Sequence, residues 1–173
     1  AVRKEYTLSG KYFTHSGNHI KAAEQYEEAL KKFPQLASIP GQKTYRSDEE
    51  LKLTRYAASA HHKAENYARA AELYLRIDAG EEGAKNLELA GDFRGAGEAF
   101  AQAGLLAEAG RVFLEGDFYV EAAQSFKMDG NLMLAAEAYE KAGEFITAGD
   151  LFDKAGKPFL ASSAYTEGDN LDK

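Results

Sequence analysis

From residue 70 onward, small residues come in pairs and a large apolar residue follows each pair at a fixed interval. Ala70, Gly83, Ala96, Ala109, Ala122, Ala135, Ala148 and Ala161 stand thirteen residues apart, and each is followed by Ala, Gly or Ser. Four places after each comes Tyr74, Leu87, Phe100, Phe113, Phe126, Tyr139, Phe152 or Tyr165. Inside one unit, Leu132, Ala135, Ala136, Tyr139 and Ala142 fall on a single face of an α-helix. Gly91-Asp92, Gly130-Asn131 and, one place early, Gly116-Asp117 each offer a helix stop followed by a capping side chain. Pro158 suits a first helical turn, where its missing N–H costs little. The spacing therefore predicts one helix of about ten residues per unit, roughly 15 Å long.

Helices this short are marginal alone in water, so they must stack on their neighbours. The small pairs mark where a neighbouring backbone can approach, with the aromatic of the next turn filling the gap beside it. Very short links favour antiparallel neighbours, so two units of thirteen make one hairpin of 26, and a row of hairpins makes an α-solenoid.

The N-terminal third carries a longer pattern: Tyr6, Gly10, Phe13, Gly17, Ala22, Tyr26, Ala29 and Pro34. In residue type and spacing it resembles the tetratricopeptide repeat, a 34-residue helix-turn-helix unit, with Ser9 standing where that family usually has leucine. A second unit of this kind runs from about Ser47 to Ile77, with Ala57, Ala58, Tyr67, Ala70 and Tyr74 at matching places and His61 replacing an aromatic. The resemblance implies an all-α, right-handed solenoid of antiparallel hairpins. Its expected organisation is one array: a unit over 1–34, a long loop over 35–47, a second unit over 48–77, and compact hairpins of 26 residues over 78–173. In the loop, Leu36, Ile39 and Tyr45 are available for packing, and Ser47 with Glu50 forms a capping box for the next helix. The chain starts at Ala1 and closes on Gly168-Asp169-Asn170, which has the form of another unit opening, so a segment of a longer protein is expected.

Charge divides the chain unevenly. Residues 1–63 hold 11 Lys/Arg against 7 Asp/Glu, and residues 64–173 hold 10 against 21, within a total of −7. The acidic portion argues against general nucleic-acid binding, which needs a basic surface to displace phosphate counterions. With no cysteine, disulfides and thiolate metal sites are excluded, and a cytoplasmic setting is expected. No apolar run approaches the roughly 20 residues needed to span a bilayer.

Enzymatic motifs are missing. Gly95-Ala96-Gly97 has no preceding strand and is followed by Phe100 where a dinucleotide fingerprint needs glycine, and there is no Walker, GxSxG or HExxH sequence. Glu27-Glu28 and Glu81-Glu82 read as solvated charge on helix faces. His15 and His19 are spaced for a metal on one helix, but Gly17-Asn18 breaks that helix and no third ligand is in place. No catalytic residue, metal or cofactor is expected. His61 falls on the core phase of its helix, whereas His62 falls on the opposite phase.

Recognition is what remains. In tetratricopeptide arrays the first helix of each hairpin lines the concave face, so the resemblance implies a groove built from Lys4, Lys11 and His15, then Lys52, Arg55, Ser59, His62 and Lys63. The second set shares one helical face and is basic, a surface suited to an acidic peptide or a carboxylate. The simpler reading makes these residues the solvated side of their helices. The asparagines with which chaperone-tail-binding members of the family hold their ligand are absent from the corresponding positions. Glu81, Glu88, Glu115, Glu137 and Glu140 follow on the equivalent face, so a partner running along all of it needs both signs of charge. The expected function is a non-catalytic protein- or peptide-binding scaffold. A ligand-sensing repeat domain of a larger signalling or nucleotide-dependent protein, and a structural spacer or self-assembly element, are the alternatives.

Overall fold

The computed structural model describes residues 2–33 and 47–171, with side chains through Asp169. The expected loop over 35–47, with Leu36, Ile39, Tyr45 and the exit residue Pro34, lies outside the described residues apart from Ser47. Among the described residues there are eleven helices and no strand. Two compact units divide the chain, residues 1–90 and 91–173.

The first unit contains α1 (Val2–His15), α2 (His19–Leu30), α3 (Asp48–Lys63), α4 (Tyr67–Leu75) and α5 (Gly80–Leu89). The second contains α6 (Phe93–Gln102), α7 (Leu106–Glu115), α8 (Tyr119–Asp129), α9 (Leu132–Lys141), α10 (Phe145–Lys154) and α11 (Pro158–Leu171). Pro158 opens α11, the place its missing N–H favours. Within each unit, successive helices pack on one another. They run antiparallel: the end of α7 at Gly116 meets Phe93 at the start of α6, and Gly168 late in α11 meets Phe145 and Ile146 at the start of α10. Each unit is thus a tetratricopeptide-like array of helical hairpins.

The turns between these helices share one backbone solution. Gly17 turns α1 into α2 with positive φ (77°), and from α3 onward positive φ recurs at residues 65, 78, 91, 104, 117, 130, 143 and 156, thirteen apart. At Gly130 (φ 88°), the Gly130 N–H donates to Lys127 O at 3.2 Å and the Asn131 N–H to Phe126 O at 2.9 Å, the paired bonds of a Schellman turn. Asn131 then caps α9 by accepting the Leu134 N–H, as Asp92 accepts the Gly95 N–H to cap α6. The carbonyl receiving the bond of wider sequence span, from five residues further on, belongs to the periodic large residue, Tyr74, Phe100, Phe113, Phe126, Tyr139 or Phe152, so the residue that fills the core also closes its own helix. The sequence places one stop early, at Gly116. In the structure Asp117 takes the left-handed turn (φ 62°), while Gly116 (φ −93°) gives room to Phe93 and Phe118. The next stop in register falls at residue 169, where α11 continues as helix to Leu171.

Glu65 also holds positive φ (59°), where L side chains other than Asn and Asp pay roughly 1–2 kcal/mol. Glu65→Gly is expected to stabilise the first unit by about 1 kcal/mol, seen as a higher urea midpoint. A lower midpoint would show that the glutamate side chain contributes more than its strain costs.

The small-residue seams receive rings. A Cβ added to Gly10, Gly97, Gly110 or Gly149 would lie 2.5–2.7 Å from the ring of Tyr26, Phe113, Phe126 or Tyr165 respectively, each sixteen residues further on. At these positions the near neighbour is the aromatic expected beside the seam, a ring from the following helix, and at Gly83 the Leu75 side chain and backbone N stand in its place. The α6–α7 and α7–α8 seams use the same step and the same contact. In the second unit, packing within a hairpin and packing between hairpins are thus one contact repeated. Ala96, Gly97, Ala99 and Phe100 on α6, Ala109, Gly110, Val112 and Phe113 on α7, and Ala148, Gly149, Leu151 and Phe152 on α10 occupy the same four buried places.

Alternate helices are tied by polar pairs. Arg3 on α1 reaches Glu49 on α3 at 2.6 Å, Arg55 on α3 reaches Glu82 on α5 at 3.0 Å, and Arg94 on α6 reaches Glu121 on α8 at 2.6 Å while covering the Phe118 ring. Exposed pairs of this kind contribute roughly 0–1 kcal/mol each. Their value lies in register more than in stability.

Candidate functional site

α3 begins with Ser47, whose hydroxyl accepts the Glu50 N–H at 3.2 Å, the first half of the expected capping box. The Glu50 carboxylate also receives Arg76 at 2.9 Å, just past the end of α4. Asp48, Glu49 and Glu50 occupy the first turn of α3 and His61, His62 and Lys63 the last, the charge order that complements a helix dipole. Leu53, Thr54, Ala57, Ala58 and Ala60 face the core, leaving Lys52, Arg55 and Tyr56 exposed.

Lys52 and Arg55 border an open depression of about 360 Å³ with Leu51, Asp48 and, from beyond α4, Ile77. Ser59, one turn after Arg55, hydrogen-bonds the Tyr74 hydroxyl. Burial pushes that hydroxyl above its ordinary pKa and the neighbouring Glu82 carboxylate adds to the effect, with Arg55 and the Ser59 bond offsetting part of it. His62 Nδ1 lies 2.8 Å from Asn86 Oδ1 on α5, and its ring meets Tyr67 edge-on. Lys63 is exposed at the end of α3. On α1, Lys4 and Lys11 are exposed, and His15 Nδ1 lies 2.7 Å from the Lys11 carbonyl of its own helix. The structure thus gathers Lys52 and Arg55 at one depression and uses Ser59 and His62 to join α3 to α4 and α5. Lys4, Lys11 and His15 stand on a separate helix.

The other histidine on α3 is half-buried and tied to a carboxylate rather than part of the apolar core. His61 is 13% exposed, and its Nε2 lies 3.2 Å from Glu27 Oε1, which also receives Arg69 at 2.7 Å. Burial alone would raise the Glu27 pKa, but the Arg69 hydrogen bond and charge, together with His61, hold it below the ordinary value. The small depression between α2 and α4, about 90 Å³, is lined by Glu27, Lys31, Arg69 and Arg76. Each of these cations already has a carboxylate partner: Arg69 has Glu27 and Glu72, Lys31 has Glu28, and Arg76 has Glu50. Its chemistry is that of a bracing network.

Several residues at the α3 face escape sequence reasoning: Leu51, Ile77, Glu82 and Asn86. Asn86 had a usable signal. The same step of thirteen holds Leu73, Ala99, Val112, Ala138 and Leu151, with Ser125 the other polar residue, all buried, so an asparagine there, 4% exposed, marks a polar side chain in a core position. It spends its donor on the Glu82 carbonyl and its acceptor on His62. The acidic residues on the later helices are also engaged locally. Glu81 pairs with Lys85 and Glu115 with Arg111, while burial first, then Glu167 and Glu137, raises the Glu140 pKa.

Among the described residues no group of three or more His, Asp or Glu side chains is placed to hold a metal ion, and no helix is long and apolar enough to cross a membrane.

No family model and no curated protein sequence matches the chain. Among solved structures it is similar to the crystal structure of MamA, at 15% identity and a TM-score of 0.43, covering 92% of this chain and 91% of that one. It is also similar to the Rap conjugation gene regulator of the plasmid pLS20 in complex with the Phr* peptide, at 15% identity and a TM-score of 0.40. That alignment covers 96% of this chain but spans only 52% of the Rap chain. At such TM-scores neither likeness carries the fold assignment, which rests on the helix packing described above.

Proposed function

We propose that this chain is a non-catalytic, protein-binding helical-repeat segment whose first unit takes an acidic peptide or protein surface on the exposed side of α3. The observation that carries the reading is the placement of Lys52 and Arg55 together at an open depression whose floor is partly aliphatic. A cationic pair beside apolar surface offers orientation through charge-assisted hydrogen bonds and affinity through burial. Lys63, and Lys4 and Lys11 on α1, extend the positive field and steer encounter more than they fix geometry, with His15 beside them as a polar contact. Ser59 and His62, already bonded within the protein, hold α3 in place for the contact.

The test is titration of a fluorescein-labelled acidic peptide by polarisation. Lys52→Glu/Arg55→Glu is expected to weaken binding at least about tenfold, since two opposed charges replace two favourable ones, with helical circular dichroism unchanged. Undiminished binding by the folded double variant would remove the site. A self-assembly role is the second reading, favoured by Phe159 on α11, whose side chain is 91% exposed. Sedimentation velocity separates the two readings: association that rises with protein concentration and disappears in Phe159→Ser supports assembly.

A further inference from the structure

The α3 depression has an internal occupant for its strongest hydrogen-bonding group. Arg55 Nη1 meets Glu82 Oε1 of α5 at 3.0 Å, and the two side chains are 56% and 45% exposed. Such a pair sits in high dielectric, is screened by salt, and exchanges readily for another carboxylate. Beside it, Leu51 is 37% exposed and Ile77 half-buried, which leaves aliphatic surface open at the same place. Asp48 stands on the rim with them. A ligand carboxylate is repelled by Asp48 and drawn to Lys52 and Arg55, so the charge pattern gives the depression a polarity.

Building on the reading of this face as an acidic-peptide site, we infer that the depression recognises an aliphatic side chain flanked by a carboxylate. The aliphatic group would rest on Leu51 and Ile77, and the carboxylate would take Arg55 from Glu82. Glu82 is then an internal competitor that the ligand displaces. The competitor also contributes specificity: a neutral apolar peptide can fill the aliphatic surface but gains nothing from Arg55, which stays with Glu82.

The experiment uses two fluorescein-labelled peptides, Leu-Glu-Glu between Gly-Ser flanks and the same peptide with Ser in place of the leucine, titrated with the wild-type chain, Glu82→Gln, Leu51→Ser and Ile77→Ser. The leucine peptide is expected to bind wild type about fivefold more tightly than the serine peptide, a ratio set by burial of one aliphatic side chain on partly exposed surface. Leu51→Ser and Ile77→Ser should each erase that ratio and leave the serine peptide unaffected. Glu82→Gln should tighten both peptides about threefold, the scale of one exposed ion pair removed from competition. Equal binding of the two peptides to wild type overturns the aliphatic anchor while leaving the acidic-peptide reading in place. Unchanged or weaker binding by folded Glu82→Gln overturns the competitor role. If wild type binds neither peptide, the acidic-peptide reading itself falls and this inference falls with it.

Discussion

Phe152→Ala is expected to destabilise the second unit by about 3–5 kcal/mol, the range for removing a buried ring from a close-packed core. Phe152 is 1% exposed and occupies the place that Phe100, Phe113 and Phe126 hold in their own helices. Its carbonyl also takes the Lys157 N–H at 2.8 Å to close the turn into α11, so the cavity opens beside the bond that sets the direction of the next helix. In an array whose stability is a sum of neighbour contacts, such a defect acts locally. Amide hydrogen exchange should show protection lost first in α9, α10 and α11, with the urea midpoint falling in step. A shift worth less than about 1 kcal/mol would mean that the ring is not closely packed.

Gly110→Leu is the converse test, adding volume where there is none. A Cβ at Gly110 would lie 2.7 Å from the Phe126 ring, which is 4% exposed and therefore has nowhere to swing. Glycine within a helix gives up about 1 kcal/mol of propensity relative to alanine, so the contact must be worth more than that to be kept. The leucine is expected to cost about 3 kcal/mol, at the upper end for overpacking. The control is the same change in a Phe126→Leu background. There the smaller, more flexible side chain should at least halve the penalty, a coupling that a double-mutant cycle reads directly. An equal penalty in both backgrounds would place the strain elsewhere than the glycine–ring seam.

The repeat was legible in the sequence because it is written in local terms. A helix of ten residues and a three-residue turn both act within one period, and the seam contact reaches only sixteen residues ahead. Gly130, Asn131 and Pro158 therefore read correctly from the chain alone. Asp117 did not, because a glycine next door looked like the better stop: composition shows which residue tolerates a left-handed backbone, while the neighbouring helix decides which one must adopt it. The α3 face was less legible for a different reason. Lys52 and Arg55 stand out by charge, but Arg55–Glu82 joins residues 27 apart across alternate helices, and many carboxylates are at that distance from some cation. Which pair forms depends on the crossing of α3 and α5 and on rotamers of long side chains. Leu51 and Ile77 carry no sequence mark at all, being ordinary aliphatic residues until the fold leaves them beside the two cations.

The sameness of the α6–α7 and α7–α8 seams has a genetic consequence. Duplicating one helix with its turn supplies a partner surface the array already uses, so gain or loss of thirteen residues is tolerated by the packing as readily as gain or loss of a whole hairpin. The two events differ in what they display. A whole hairpin preserves the alternation of layers that ties α6 to α8 through Arg94 and Glu121, whereas a single helix sends every later helix to the opposite layer. Lineages can therefore invert the surface of such an array in one recombination step, with the core contacts unchanged.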